Sequence, residues 1–589
     1  MKFEFGPFRL DEPGRALWLA EREVPLQPRV FDLLVFLIRN RARVVSKDEL
    51  LDTLWPGVTV TDNSLQRAVS TLRSVLREGG LEDAIRNFSR NGYRFVGPEP
   101  ANGGRQAEDG GVLHGLDAAR QAVLDQRWGD AAQLYKASGE AAALEANDLD
   151  GWALSLQCLG QPSEAIPVLV RSVGAHTKAG QSGLAAESAV SLSTLHLERG
   201  EVAVAKGWLA RGEDLTRSAP ESDPSGLALW MRSRVAAVDS DPEQAVSFAD
   251  AAYDLGRRSG SGRVEALGLM YRGFFKLSLG ATRAGLADQD HAAALALSSN
   301  VDPITGAILY CNILWACRTF GDWARANQWT LGYQQFCREG GMEFSGSCQL
   351  HRAEVLAIRG SLQDALAHIN DALSRLTDDA PWAIGDAHRV LGDIHAAIGN
   401  TDAARAAYEK CYALGWNPEP GNAMLLAELG QPEAGYSSLE QSLIGQSWWT
   451  LQRQGILLAH LAYVAASAGR YDRAQALIDD LAGNEERWPM PSIRALTNEA
   501  AAILAKHQRG DANEALRHMH LARQLWTSVE SRLNATRLRL EIAALLLKVG
   551  EANGAAAEIR AASAVADELG SDKLKTRAAA LRQQLSRTT

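Results

Sequence analysis

At 589 residues the chain is longer than one hydrophobic core organises, ~250–300 residues, so two or more structural units are expected. Hydrophobic residues at 46% and charged residues at 22% are globular proportions, which exclude a disordered or lipid-embedded chain. The net charge of −10 argues against a nucleic-acid partner only if it is evenly spread, and it is not: residues 1–100 carry +1 and the remainder −11. Any DNA affinity must come from a few well-placed arginines.

No run approaches ~18 uninterrupted apolar residues, and the first residues lack the apolar core of a secretory leader, so a cytoplasmic protein with no membrane association is expected. Six cysteines (Cys158, Cys311, Cys317, Cys337, Cys348 and Cys411) form no CxxC pair, which fits reduced thiols packed as small hydrophobes.

In chain order, Phe3, Phe5 and residues 8–10, then 16–20 and 24–26, alternate as short strands of a small antiparallel sheet. Residues 29–40 put Val30, Leu33, Leu34, Leu37 and Ile38 on one helical face. Ser46 caps a second helix, 47–54, with Glu49 completing a capping box. A third helix, 63–77, carries the stripe Leu65, Val69, Leu72 and Leu76, which leaves Asn63, Arg67 and Ser70 on the opposite face beside Gln66, Thr71 and Arg73. Residues 85–88 and 93–96, joined by Ser89-Arg90-Asn91-Gly92, make a hairpin that projects as a wing. Together these elements form an α+β head over residues 1–97.

Residues 98–111, rich in Gly, Pro and polar side chains, are a linker. Beyond it, a glycine or serine is followed five residues later by alanine or glycine, in the pairs Gly160/Ala165, Gly200/Ala205, Ser240/Ala245, Gly280/Gly285, Gly321/Ala326, Gly360/Ala365, Gly399/Ala404, Gly430/Gly435, Gly469/Ala474, Gly510/Ala515 and Gly550/Ala555. Their first members stand 39–41 residues apart, except for 31 between Gly399 and Gly430. Glycine ends one helix at positive φ, and the small residue lets the next helix approach closely. Residues 112–589 therefore form an array of about 40-residue helical hairpins, an α-solenoid with a concave face, and the chain as a whole is mainly α. A weaker mark at Trp128-Gly129-Asp130-Ala131-Ala132 suggests one further N-terminal unit, and the short interval predicts a bend or seam near residues 416–430.

Four blocks of the head, Pro28-Arg29-Val30-Phe31-Asp32-Leu33-Leu34, Val45-Ser46-Lys47-Asp48-Glu49-Leu50-Leu51, Trp55-Pro56 and Arg90-Asn91-Gly92-Tyr93-Arg94-Phe95, resemble the OmpR/PhoB-type winged helix, especially its CadC-like one-component branch. The resemblance implies that Asn63, Ser64, Arg67, Ser70, Thr71 and Arg73 face DNA from the recognition helix and that Trp55 abuts the backbone. It likewise assigns Asn87, Arg90, Asn91 and Tyr93 to the wing, although the residues favour Tyr93 as a core aromatic with a partly exposed hydroxyl over a base reader. The loop of Pro56, Gly57, Val58, Thr59, Val60, Thr61 and Asp62 matches the segment that contacts RNA polymerase in that family. Ser70 and Thr71 stand where many members have a basic pair. The array resembles tetratricopeptide repeats (a TPR-like superhelix), as in the sensor regions of MalT-like and large LuxR-type regulators.

Tyr310, Trp315, Trp323, Trp329 and Tyr333, with Phe320 and Phe336, have two readings: packing between neighbouring hairpins, which their helical spacing favours, and the lining of a ligand groove. Neither His388 with His395 nor His518 with His520 has a third ligand at metal spacing, and no GxxxxGK[ST] loop occurs, so no metal, cofactor or catalytic site is expected. These signals point to a non-enzymatic one-component regulator that binds double-stranded DNA. Its array would sense a protein or small-molecule effector, or join two copies of the chain into a homodimer on repeated sites. The alternative is a helical-repeat scaffold whose winged helix binds protein or RNA polymerase.

Overall fold

The computed structural model describes residues 2–588 except 12–13, 20–21, 25, 41–44, 46–48, 51–61, 82–83, 89–91, 98–109, 142, 298–300 and 344. The chain divides into two compact units, residues 1–110 and 111–589. In the first unit β1 (Lys2–Phe5), β2 (Phe8–Asp11), β3 (Ala16–Leu19) and β4 (Arg22–Val24) form an antiparallel sheet in that order. Alternation turns Phe8, Leu10 and Leu17 inward, while Arg9 lies over the Trp18 ring on the other face. The fourth strand is Arg22–Val24 where residues 24–26 are expected, and Pro25 lies outside the described residues.

Helix α1 (Pro28–Arg39) starts with proline in its first turn and buries all five residues of the predicted stripe. Of the predicted helix 47–54 only Glu49 and Leu50 are described, both helical, with Leu50 fully buried. Helix α2 (Asp62–Arg77) buries Leu65, Val69, Leu72 and Leu76, each at most 2% exposed. The hairpin β5 (Ile85–Phe88) and β6 (Gly92–Phe95) docks through Tyr93, whose backbone exchanges two hydrogen bonds of 2.9 Å with Val45.

The second unit is, among the described residues, twelve antiparallel helix pairs and a final helix, Asp572–Thr588. All eleven predicted punctuation residues take positive φ, from 60° to 109°, including Ser240, the one that is not glycine. Gln126, at φ 57°, holds the same place before Trp128, so the weak mark there is a real hairpin. Five residues on, the alanines from Ala165 to Ala555 are all fully buried. Gly285 and Gly435 are required by contact, since a Cβ there would lie 2.7 Å from Gly273 O and 2.6 Å from Ala423 O. The 31-residue interval coincides with the two shortest α-helices of the array among the described residues, Gly421–Glu428 and Pro432–Ser442.

Hydrogen bonds between distant hairpins show how the array coils. The buried hydroxyls of Ser492, Ser531 and Ser571 donate to the carbonyls of Gly321 (2.6 Å), Ile358 (3.3 Å) and Ala397 (2.6 Å). Trp128 Nε1 likewise reaches Gly340 O at 2.7 Å, 212 residues along the chain. With hairpins of this length, such separations place one superhelical turn at about four to five hairpins. Successive turns touch at these bonds, and partly open cavities lie along the inner face of the array.

In the head, the turn after α2 is locked to the sheet: a Cβ on Gly79 would meet the buried Phe8 ring at 2.3 Å. Gly79→Ala should destabilise the first unit by about 1–3 kcal/mol through overpacking. Gly80→Ala, where nothing lies within 4 Å but φ is +74°, should cost only about 1–2 kcal/mol from backbone conformation. Denaturant unfolding of residues 1–110 checks both; a neutral Gly79→Ala would remove the packing argument.

Candidate nucleic-acid interface and array cavities

On α2 the buried stripe leaves Ser70 and Thr71 exposed. Arg67 stands one turn earlier on the same helix, and the side chains of Asn63, Ser64 and Arg67 are outside those described, as is that of Asn87 on β5. Trp55, Arg90, Asn91 and loop residues 56–61 also lie outside the described residues, and Asp62 opens α2.

Arg73 differs from its expected place. Its Nε and Nη2 both donate to Ile85 O, at 3.0 and 2.6 Å, so the guanidinium ties α2 to the wing strand instead of standing free for DNA. Tyr93 is 4% exposed, which makes it a core aromatic holding the hairpin to Val45 rather than a reader of bases. Arg86 is exposed on β5, between the buried Ile85 and the turn, and adds a cation to the wing that sequence inspection did not single out. Its signal was the strand alternation, which assigns Ile85 inward and Arg86 outward.

The five aromatics expected to form one groove are divided between different surroundings. Trp315 lines two neighbouring cavities, of about 270 and 800 Å³; Trp323 lines the smaller and Tyr333 the larger. Tyr310 and Trp329 line neither cavity, and Tyr310 is fully buried with the Trp329, Tyr333 and Phe336 rings 5.3–6.0 Å away. Helical spacing could not separate the two roles because residues facing a cavity and residues facing a neighbouring helix recur with the same period.

The smaller cavity has a charged wall. Arg318 pairs with Glu354 and, at 3.1 Å, with Asp386, while Arg389 pairs with Glu354 (3.0 Å), Asp386 (2.8 Å) and Asp393 (2.8 Å). Burial opposes the charge on Asp386, but Arg389 and Arg318 overcome it and hold the carboxyl well below its ordinary value. At Asp393 burial prevails over Arg389 and lifts the carboxyl to about 6. Tyr408 donates to Asp393 at 2.7 Å, satisfying its other oxygen.

Residues 21–95 match the family described as "Transcriptional regulatory protein, C terminal". This segment is an OmpR/PhoB-type domain. The chain is 35% identical over 97 residues to the transcriptional regulator HilA of Salmonella typhi, covering 16% of this chain and 17% of that protein. It is 35% identical over 79 residues to the transcriptional activator CadC of Escherichia coli, covering 13% and 15%. To the phosphate regulon protein PhoB of Rhizobium meliloti it is 34% identical over 89 residues, covering 15% and 39%. The matches thus span less than a fifth of HilA and CadC. Among solved structures, the array is similar to the APC/C Cut9–Hcn1 hetero-tetramer (TM-score 0.30, 14% identity, 79% of this chain and 96% of that one). A Rap protein complexed with competence and sporulation factor gives a TM-score of 0.34 at 14% identity, covering 66% and 99%. No helix among the described residues is long and apolar enough to cross a membrane.

Outside the OmpR/PhoB-type domain, two histidines should make array stability depend on pH. Burial pulls His460 from 6.5 to about 4, and burial followed by the charge of Arg318 pushes His351 well below its ordinary value. The unfolded chain binds more protons than the native one in this range. Their contribution is therefore complete above about pH 6.5 and lost as pH falls toward 4. Asp393 acts in the opposite sense, its contribution lost as pH rises through about 6, so a variant must isolate the histidine. His460→Gln retains a donor for Ile456 O and should flatten the acid-side loss by at most about 3 kcal/mol. Unfolding midpoints at pH 7 and 5 read the effect; parallel profiles for variant and parent would contradict it.

Proposed function

We propose that the chain is a one-component, non-enzymatic transcriptional regulator. In this reading the OmpR/PhoB-type domain grips double-stranded DNA, residues 98–111 tether it, and the array senses a ligand or protein partner and joins two chains. The observation that carries the reading is the family match over residues 21–95 together with an α2 whose apolar stripe is buried while Ser70 and Thr71 remain exposed. A helix with one polar face free enters a major groove, with base edges read from its outward side chains.

Asn63, Ser64, Arg67, Ser70 and Thr71 then supply the groove contacts, Trp55 the backbone contact, and Asn87, Arg90 and Asn91 the wing. Arg73 and Tyr93 position these groups from within the domain. The loop of residues 56–62 is the surface offered to RNA polymerase. Two heads on one dimer raise the effective concentration at repeated half-sites.

Arg67→Ala should weaken specific DNA binding by about 1–3 kcal/mol with the fold intact. Arg73→Ala should instead lower stability of the domain by about 1 kcal/mol, with a smaller loss of affinity. Quantitative footprinting paired with thermal unfolding separates the two; unchanged affinity in Arg67→Ala would remove that residue from the interface. On the same operator at the same salt, residues 1–110 alone should bind more weakly than the full chain. Tighter binding by the isolated unit would sink the dimer model in favour of autoinhibition.

A further inference from the structure

The irregular hairpin is where the two array cavities meet. Trp416, just before Gly421–Glu428, lines both of them together with Trp315, and it stacks on Trp382 at 6.0 Å. The Trp416 ring occupies the space a side chain at position 385 would need, since a Cβ on Gly385 would lie 2.1 Å from Trp416 Cδ1. At the other end of the same segment a Cβ on Gly421 would strike Asp393 Oδ1 at 1.8 Å. The shortened unit therefore inserts an indole and a glycine into the inner wall where a regular hairpin would present two longer helices.

Against this segment stands Arg453, at the end of the short helix Trp448–Arg453 and in the lining of the same cavity. Its Nη2 donates to Glu419 O at 3.0 Å, and among the described residues no carboxylate lies within ion-pairing distance of the guanidinium. The other charges around it are engaged. Glu354, Asp386 and Asp393 are taken up by Arg318 and Arg389, Arg537 by Glu499, and Lys573 by Glu428. Glu419 spends its carboxyl on Ser438, Asn422 and the Ala423 N–H. Burial, then repulsion from Arg389, pulls the Arg453 guanidinium below its ordinary value, against the attraction of Asp386 and Glu354. Arg453 is half-buried, and a guanidinium so placed with most of its five donors unused gains from an anion that completes it. The remaining wall includes Trp315, Met424, Ile456 and Trp526.

We propose that the cavity of about 270 Å³ is a binding site for a small organic acid, its carboxylate received by the donors of Arg453 that Glu419 O leaves unused and its aromatic or aliphatic body lying among Trp315, Trp416 and Met424. A guanidinium fork matches a carboxylate bidentately, and a cavity of this size is at the small end of ligand pockets. The inference deepens the reading of the array as a sensor and rests on it for its regulatory meaning. The ligand would act on hairpins drawn from successive superhelical turns, because the lining runs from Trp315 to Leu574.

The test is calorimetric binding to the full chain of a series of monocarboxylates, benzoate, phenylacetate, indole-3-acetate and octanoate, each paired with its neutral amide. At least one acid should bind saturably and ten-fold or more tighter than its amide. Arg453→Gln should abolish that preference, with circular dichroism verifying the fold. Equal binding of acid and amide, or no binding by any acid, overturns the proposal even if the variant fails to fold. A preference that survives Arg453→Gln also overturns it by seating the anion elsewhere. Operator binding by the unliganded chain is measured separately, so failure of the acid site and failure of the regulator reading are distinguishable.

Discussion

The array depends on one close approach, repeated along the chain: the start of each hairpin's second helix crosses its partner at a residue with almost no side chain. A hairpin of this size cannot bury its apolar face alone, so it is stable only when stacked. Stacking at short distance needs backbone against backbone, and the buried alanines from Ala165 to Ala555 provide it. The left-handed turn five residues earlier sets the direction of approach, and glycine adopts it without steric cost. Ser240 shows that the position demands the conformation rather than the residue.

From that crossing follows the coiling of the array. Regular hairpins coil until one turn meets the next, and the buried serines at 492, 531 and 571 close the seam with hydrogen bonds to carbonyls on the preceding turn. Polar side chains that face inward are then cut off from bulk water and must find partners. Most do so in the Arg318, Glu354, Asp386, Arg389 and Asp393 network, where each carboxylate meets at least one guanidinium. A buried network of this kind is weak evidence for stability but strongly restricts how neighbouring hairpins can sit. The one departure from the repeat, between Gly399 and Gly430, falls beside this network and opens the space that the aromatic rings line.

The repeat, the turn conformations and the buried stripe of α2 could be read from the sequence because each is local: a period, a small residue, an i, i+4, i+7 spacing. What connects distant hairpins could not. Nothing adjacent to Ser531 marks Ile358 as its acceptor, and nothing near Arg453 announces that its counter-charges are committed to other arginines. Arg73 escaped for a related reason. Its place on the polar side of α2 is the same for a DNA contact and for a bond to Ile85 O, and only the position of the wing strand separates them. The aromatics from Tyr310 to Tyr333 share helical spacing whether they face a cavity or a neighbouring helix, so spacing could not sort Trp315 from Tyr310.

The chain joins an OmpR/PhoB-type domain to an acidic helical-repeat array, and in the proposed function a few arginines of the first would meet DNA while the second would bias how they are presented. The central claim is that this chain selects DNA by sequence through α2. The most direct measurement is selection from a random-sequence duplex pool by the full-length protein, run in parallel with Arg67→Ala at fixed salt. The account predicts enrichment of a defined motif, present as spaced repeats, that the variant loses at the positions α2 reads. Retention by the parent protein of duplexes without any shared sequence would contradict it.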